Sequence, residues 1–259
     1  LSLHDALPIF VEISIDERDA KLARLDMSQE ERLELVRTMY AVGVPIRTMC
    51  LSGHRKYPLG SSDPAVCARG MEIMEKAIQL ADDLGIRIIQ LAGYDVYYEE
   101  GSEETRARFA QNLKKATMMA ARAGVLMGFE TMETEFMNTT AKAMEHVKRV
   151  GSAYLNVYPD TGNIKNAAVT YGTDVLADLR SGAGHITSVH LKETVPGVFR
   201  EVPFGTGHVD FKAMVETAWS LGIRKYVTEF WYTGNLEWRE DLTFAHTMMA
   251  GILDSQPED

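Results

Sequence analysis

Short apolar segments alternate with longer amphipathic segments from Phe10 to the end of the chain. The short segments are rich in β-branched residues and are bounded by turn residues, as buried parallel strands are. The longer segments repeat apolar residues at helical spacing, which is typical of helices that cover a sheet. The predicted strands are 10–15, 46–51, 87–92, 125–130, 154–158, 186–192 and 226–230. The predicted helices are 28–42, 65–84, 103–123, 139–150, 173–181, 211–221 and 242–253.

Capping residues mark the ends of several of these helices. Ser28 followed by Glu31 is the sequence pattern of a capping box, and Ser102 with Thr105 stands where another helix should begin. Helix C-caps favour glycine because it adopts the left-handed conformation without strain. Glycines follow the predicted helices at positions 43, 85, 124, 151 and 222. The boundaries therefore support a chain of repeated strand-then-helix units.

Seven such units in succession predict an α/β fold, a (β/α)8 TIM barrel that lacks its first βα unit. The chain contains no Gly-x-Gly-x-x-Gly loop and no break in composition. An open doubly wound sheet is the alternative fold, but it would use fewer sequential units and a nucleotide-binding first turn. We expect residues 10–259 to form a single domain.

The first residues fit neither kind of element. The chain begins with Leu1 rather than methionine, and residues 1–9 resemble the peptide that results when a sequencing adapter is translated. We therefore expect residues 1–9 to be a non-native leader, with the native sequence beginning near Phe10.

Four residues with metal-binding side chains end four successive predicted strands: Glu130, Asp160, His190 and Glu229. They recur at intervals of about 30 to 40 residues, which is the length of one strand-plus-helix unit. The carboxyl ends of parallel strands meet at one mouth of a barrel, so we expect the four side chains to converge there. Alternation along the strands agrees, since these residues share a face with the small or polar residues that should line the barrel.

Three carboxylates and one imidazole suit a hard or borderline divalent ion. The set favours one Mn2+ or Zn2+ ion, with Co2+ or Mg2+ as alternatives. Such an ion polarises a ketone, and a carboxylate can then remove the proton of the neighbouring carbon to give an enediolate. If Glu130 and Glu229 act from opposite faces, the proton returns with inverted configuration. Return of the proton to the carbonyl carbon would instead give an aldose–ketose isomerisation, and the spacing alone does not choose between them.

The formal net charge of −10 argues against partners that need a basic surface, namely nucleic acid and anionic membranes. Together with the small number of histidines, it also argues against an abasic-site endonuclease on the same barrel. No apolar run is long enough for a membrane span, and no secretory signal pattern is present. Cys50 and Cys67 form no disulfide framework or metal spacing, so we expect a reducing compartment, the cytoplasm.

Five loop motifs are more specific than the fold. They are CLSGHRKYPLG at 50–60, IQLAGYDVYY at 89–98, YPDTGN at 158–163, VHLKETVPGVF at 189–199 and PFGTGHVDF at 203–211. They resemble the L-ribulose-5-phosphate 3-epimerases, also called L-xylulose-5-phosphate 3-epimerases, of the xylose-isomerase-like TIM-barrel superfamily. The resemblance extends over residues 10–253.

This resemblance implies an isomerase, a carbohydrate-phosphate 3-epimerase that interconverts L-ribulose 5-phosphate and L-xylulose 5-phosphate in pentose or L-ascorbate catabolism. It implies that the four strand-end residues bind the metal, that the two glutamates are the acid/base pair, and that the chain forms a homodimer. The family has a first strand and helix before the segment that begins at Phe10. A truncated, non-catalytic form that binds sugar or metal is therefore the alternative.

Six further residues are predicted to contact a small-molecule sugar phosphate. Two lie on predicted strands and face inward, one follows the end of a strand beside two basic residues, and one comes three positions after a predicted ligand. The last two flank the glycine-containing loop 202–207, since late loops often bind phosphate in this fold. Each residue could instead have only a structural role. The six are His54, Gln90, Asn163, Lys192, Arg200 and His208.

Overall fold

Seven β-strands alternate with helices in residues 9–258, the part of the chain that the computed structural model describes. The strands are β1 (Val11–Ser14), β2 (Ile46–Leu51), β3 (Ile88–Ala92), β4 (Leu126–Glu130), β5 (Leu155–Tyr158), β6 (Val189–Leu191) and β7 (Tyr226–Thr228). All seven predicted strands are therefore confirmed, although most are shorter than predicted. The expected non-native leader at residues 1–9 lies, except for Ile9, outside the described residues.

The seven predicted helices are also present, and the described residues contain two more. The helices are α1 (Asp19–Leu22), α2 (Gln29–Val42), α3 (Pro64–Leu84), α4 (Glu103–Arg122), α5 (Thr140–Val150), α6 (Thr161–Tyr171), α7 (Val175–Arg180), α8 (Phe211–Ser220) and α9 (Trp238–Asp254). The helices that the sequence did not predict are α1 and α6.

The caps of α2 and α3 explain why these boundaries were predictable. The Ser28 hydroxyl accepts a hydrogen bond from the N–H of Glu31, and the Glu31 carboxylate accepts one from the N–H of Ser28. Asp63 caps α3, and Pro64 fits its first turn because that position needs no N–H donor. Gly85 ends α3 with a φ of 69°, a conformation that would strain a residue with a side chain.

Strands β1 to β5 lie in sequence order in one sheet, and β6 pairs with β7 in another. The pairs β1–β2, β2–β3, β3–β4 and β6–β7 are parallel. Ala92 at the end of β3 lies opposite Glu130 at the end of β4. An isolated parallel bridge likewise aligns Asp160 with His190. Parallel pairing thus brings the carboxyl ends of neighbouring strands to the same edge, and these ends carry the candidate site.

The described chain divides into two compact units. One comprises residues 9–130 and Glu145–Asn156, and it contains β1 to β4. Its core is formed by apolar side chains of the strands and of α3, among them Ile73, Ile89 and Met127, which are fully buried. The buried positions of α3 recur at helical spacing, so one face of this helix is apolar.

The other unit comprises Thr131–Met144 and 157–258, and it contains β6, β7 and the helices α6 to α9. Val189 and Met214 are buried in its core. Our assignment of residues 10–259 to a single domain stays a prediction. Within residues 9–258, no helix is both long and apolar enough to cross a membrane.

Candidate metal centre

The four strand-end residues occupy the positions that the sequence predicts for them. Glu130 is the last residue of β4, and Glu229 directly follows β7. Asp160 lies two residues beyond β5, and His190 is the central residue of the short strand β6. Backbone hydrogen bonds fix the last two strand ends, because the N–H of His190 donates to Pro159 and the N–H of Glu229 donates to Leu191, both at 2.9 Å.

These side chains form a compact acidic cluster, which we call the ligand cluster and define as Glu130, Asp160, His190 and Glu229. Each offers one ligand atom, and the four atoms all lie within 4.8 Å of one another. Asp160 and His190 are fully buried and Glu130 is nearly so, whereas the side chain of Glu229 is 27% exposed. Glu229 is therefore the most solvent-accessible of the four side chains.

The His190 ring is held by carboxylates and by an aromatic neighbour. Its Nδ1 lies 3.0 Å from Glu229 Oε2 and 3.9 Å from Asp160 Oδ2. The edge of the Tyr158 ring packs against it, with ring centroids 4.8 Å apart. These contacts fix the orientation of the imidazole, which a metal ligand requires.

Asp160 has two structural partners besides the cluster. Its Oδ1 accepts a hydrogen bond of 2.7 Å from the N–H of Asn163 and so caps α6. Its own N–H donates to the hydroxyl of Thr131 at 3.0 Å. The Asn163 amide donates to the Thr131 carbonyl at 2.6 Å. One Asp160 oxygen is thus used by the helix, and the other, Oδ2, faces the cluster.

Lys192 enters the same cluster. Its Nζ lies 3.1 Å from Asp160 Oδ2 and 3.9 Å from Glu229 Oε2. It also donates to Asn163 Oδ1 at 2.9 Å and lies 5.9 Å from the centroid of the Trp231 ring. The sequence predicts that Lys192 and Asn163 bind substrate; the structure brings both beside Asp160, and their contact with substrate stays a prediction.

The charges around Glu229 decide its ionisation. Burial raises the pKa of the Glu229 carboxyl, but the positive charge of Lys192 and the contact with His190 outweigh this effect. The net result is a pKa well below the usual range of a glutamate. Glu229 is therefore an anion at neutral pH, which is the form that binds a cation or accepts a proton.

The donor set fits a divalent cation. Three carboxylates within 4.8 Å of one another and of an imidazole bring together negative charges that repel each other. Burying such charges is costly unless a cation neutralises them. Oxygen ligands with one imidazole nitrogen match the preferences of Mn2+, Zn2+ and related ions. These four residues could hold one metal ion.

His54 lies in the turn after β2, where it is buried. Its Nε2 is 3.0 Å from the Gly70 carbonyl oxygen, so this nitrogen carries the proton and donates. Burial lowers the pKa of His54 to about 4, and the ring is neutral at physiological pH. Gln90 is also buried, in the middle of β3. The contact of these two residues with substrate stays a prediction.

The remaining two predicted residues lie on the loop that follows β6. Arg200 is part of an exposed contact in which its guanidinium donates to Glu133 at 3.1 Å. His208 Nε2 is 3.0 Å from the hydroxyl of Thr194, which itself donates to the Gly162 carbonyl at 3.2 Å. Because the hydroxyl proton is already donated, the hydroxyl oxygen must accept a hydrogen bond from His208, and Nε2 therefore carries a proton. Burial lowers the pKa of His208, which favours the neutral form of the ring.

Sequence reasoning missed Glu193, a buried carboxylate that organises this loop. One of its oxygens accepts hydrogen bonds from the N–H groups of Thr194 and Val209, and the other accepts from Gly205, all at 3.1 Å. A Cβ on Gly207 would overlap both Glu193 and the Thr194 carbonyl. The available signal was the glycine-containing loop itself, because its free N–H groups require an acceptor.

Comparison with known proteins identifies the family. Residues 10–247 match the family described as the xylose isomerase-like TIM barrel. The L-ribulose-5-phosphate 3-epimerase UlaE of Salmonella paratyphi A is 49% identical over 223 residues, which cover 86% of this chain and 77% of that protein. The protein of the same name from Salmonella typhimurium has the same identity and coverage, 49% over 86% of this chain and 77% of its own.

Solved structures agree on the fold. A D-tagatose 3-epimerase-like protein has a TM-score of 0.77 at 16% identity, covering 97% of this chain and 91% of its own. An L-ribulose 3-epimerase has a TM-score of 0.74 at 21% identity, covering 97% of this chain and 86% of its own. The predicted fold class and family resemblance are thereby confirmed. The chain belongs to the xylose isomerase-like TIM-barrel family and, within it, to the L-ribulose-5-phosphate 3-epimerase family of isomerases.

Proposed function

We propose that this chain catalyses the metal-dependent epimerisation of a ketopentose 5-phosphate at C3, and so interconverts L-ribulose 5-phosphate and L-xylulose 5-phosphate. The substrate assignment is supported by the 49% identity to UlaE of Salmonella paratyphi A, which carries the name L-ribulose-5-phosphate 3-epimerase. The chemistry is supported by the ligand cluster, whose four ligand atoms lie within 4.8 Å of one another. This cluster is the observation that carries the proposal.

The two glutamates of the cluster supply the proton transfer. A divalent cation held by the cluster would polarise the substrate ketone and so acidify the proton on C3. Glu130 and Glu229 act as the acid/base pair on opposite faces of C3. One carboxylate removes the C3 proton to give the enediolate, and the other returns a proton to the opposite face. The configuration at C3 is inverted, and the two glutamates exchange roles when the reaction runs in reverse.

The other residues hold this pair in place. Asp160 and His190 act mainly as ligands, because Asp160 is fixed by its cap on α6 and the His190 ring is packed against Tyr158. Asn163 and Lys192 lie beside the cluster, and His54, Gln90, Arg200 and His208 complete the proposed set of substrate contacts. The ion is proposed to be Mn2+ or Zn2+, with Co2+ or Mg2+ as alternatives.

The test is solvent deuterium exchange. L-xylulose 5-phosphate is incubated in D2O with the metal-loaded protein and followed by NMR. We expect deuterium at C3 together with the appearance of L-ribulose 5-phosphate. Deuterium at C1 would indicate aldose–ketose isomerisation instead, and an absence of exchange with metal bound would indicate a sugar- or metal-binding protein without turnover. Either outcome would overturn the proposed activity.

The proposed substrate, a pentulose 5-phosphate, also indicates a metabolic role and a cellular compartment. A pentulose 5-phosphate epimerase of this kind would serve pentose or L-ascorbate catabolism in the cytoplasm. We also propose that the protein forms a homodimer, as its resemblance to the family implies. Size-exclusion chromatography with multi-angle light scattering, which measures the molar mass of the purified protein in solution, tests the proposed dimer.

A further inference from the structure

Lys192 is buried against the ligand cluster rather than exposed at its rim. Only 6% of its side chain is exposed. Its Nζ approaches Asp160 Oδ2 at 3.1 Å and Glu229 Oε2 at 3.9 Å. The same two oxygens lie 3.9 Å and 3.0 Å from His190 Nδ1. The ammonium group therefore contacts two carboxylates of the ligand cluster.

The position of Lys192 is itself fixed by its neighbours. Asn163 Oδ1 accepts a hydrogen bond from Nζ at 2.9 Å, and the Asn163 amide is anchored to the Thr131 carbonyl at 2.6 Å. The Trp231 ring covers Nζ at 5.9 Å from its centroid. A long flexible side chain is thus held in one place, and its charge cannot move away without losing these contacts.

We propose that Lys192 is an internal counter-cation of the ligand cluster. It offsets the repulsion between the carboxylates when no metal is bound, and its charge repels a divalent ion that binds the same carboxylates. Like charges at such short range repel strongly where little water is present to screen them. Lys192 therefore stabilises the metal-free protein and weakens metal binding, which keeps the ion exchangeable.

This inference rests on the proposed function only in taking the ligand cluster to be the metal site. It requires neither the epimerase activity nor the identity of the sugar. Its readouts are metal affinity and the stability of the metal-free protein, so neither of them depends on turnover.

The experiment measures Mn2+ and Zn2+ binding by isothermal titration calorimetry after removal of metal with a chelator. The variants are Lys192→Met, which keeps the length of the side chain without its charge, and Lys192→Gln, which also keeps a hydrogen-bonding end. Lys225→Met is the matched control, since Lys225 is exposed at the other end of β7. Thermal unfolding of the metal-free proteins is recorded in parallel, and circular dichroism checks that each variant folds.

We expect both Lys192 variants to bind the ions at least about tenfold more tightly than the wild type, with a lower melting temperature when metal-free. The Lys225→Met variant should match the wild type in both measurements. If the wild type binds metal and neither Lys192 variant binds it more tightly, the inference is wrong while the metal site stands. If no protein, including the Lys192 variants, binds metal, both the inference and the proposed metal-dependent function are wrong.

Discussion

Glu130 and Glu229 both carry a carboxylate, but the two carboxylates differ in their exposure to solvent. Glu130 is 4% exposed, whereas the Glu229 side chain is 27% exposed and contacts His190. In a two-base epimerisation each carboxylate faces the C3 proton of only one epimer. Loss of one carboxylate should therefore block interconversion but leave proton exchange with the epimer that the other carboxylate serves.

We accordingly predict that Glu130→Gln and Glu229→Gln each lower kcat by at least about 100-fold. Each variant should still incorporate deuterium at C3 of one epimer, and the epimer should differ between the two variants. NMR in D2O with each purified epimer measures both effects. Glu145→Gln, an exposed position on α5, is the control and should behave as wild type. Near-normal turnover by either glutamine variant would exclude the two-glutamate mechanism.

His54 predicts a dependence of stability on pH. Its pKa is lowered from 6.5 to about 4 by burial, so the unfolded chain takes up a proton at a higher pH than the folded one. Stability contributed by the neutral ring is therefore complete above pH 6.5 and is lost as the pH falls towards 4. The loss should amount to about 3 kcal/mol, because each pKa unit corresponds to roughly 1.4 kcal/mol.

The variant His54→Gln isolates this effect, since the amide can still donate to the Gly70 carbonyl. We expect its free energy of unfolding to fall less steeply than that of the wild type between pH 6.5 and pH 4. Urea unfolding at a series of pH values provides the measurement. The two proteins should have parallel profiles above pH 6.5, where the ring is neutral in both states. Parallel profiles below that pH as well would contradict the prediction.

The four residues of the ligand cluster could be predicted from the sequence, because each stands at the end of a predicted strand. The side chains that surround the cluster could not be predicted in this way. Strand ends are marked locally in the sequence, and parallel strands bring their ends together in any fold of this class. The contacts of Lys192 and Glu193 depend on where the chain turns after β6. That direction is set by the loop and by Asn163, far away in sequence. The alternation of side chains along the predicted strand indicated that Lys192 faces inward. It did not indicate that the Lys192 ammonium group reaches Asp160.

At the scale of elements, α6 was missed because nearly all of its residues from Thr161 to Ala168 are buried, polar ones included. Gly162, Asn163 and Asn166 are buried on this helix together with its apolar residues. No alternation of polar and apolar faces remains for a periodicity argument to detect. Its polar residues serve other parts of the structure, as Asn166 does by accepting a hydrogen bond from the N–H of Gly197 at 3.0 Å.

The loop after β6 is the element whose packing permits a direct test. Gly207 lies against Glu193 and the Thr194 carbonyl, and a Cβ there would overlap both. We predict that Gly207→Ala displaces the loop, lowers the free energy of unfolding by about 1 to 3 kcal/mol, and raises KM more than it lowers kcat. Urea unfolding and steady-state kinetics with L-ribulose 5-phosphate measure these effects.

A glycine without neighbours provides the comparison for Gly207. A Cβ on Gly251, in α9, would meet no atom within 4 Å. Gly251→Ala should keep wild-type kinetics and gain slightly in stability, because alanine favours a helix more than glycine does. If Gly207→Ala were as harmless as Gly251→Ala, Glu193 and its three backbone contacts would not determine the position of the loop.

At the scale of the whole molecule, negative charge sets what the protein can bind. The chain has a formal net charge of −10, and its ligand cluster adds local repulsion inside the structure. The general field attracts cations and opposes a phosphorylated substrate. If the substrate is a sugar phosphate, as proposed, local positive groups such as Arg200 or the backbone N–H groups of loops must offset this field. The overall charge therefore argues against a nucleic-acid partner but does not identify the substrate.

Metal binding should accordingly stabilise the fold as a whole. An ion that binds the folded chain but not the unfolded one adds about 2.7 kcal/mol at a hundred times its Kd, which corresponds to roughly 5 to 10 °C in Tm for a chain of this size. We predict such a rise when Mn2+ or Zn2+ is added to chelator-treated protein, measured by differential scanning calorimetry. In His190→Gln, which loses one ligand of the cluster, the rise should be much smaller at the same ion concentration. An equal rise in both proteins would mean that the ion stabilises the chain from a different site, and the ligand cluster would lose its assignment.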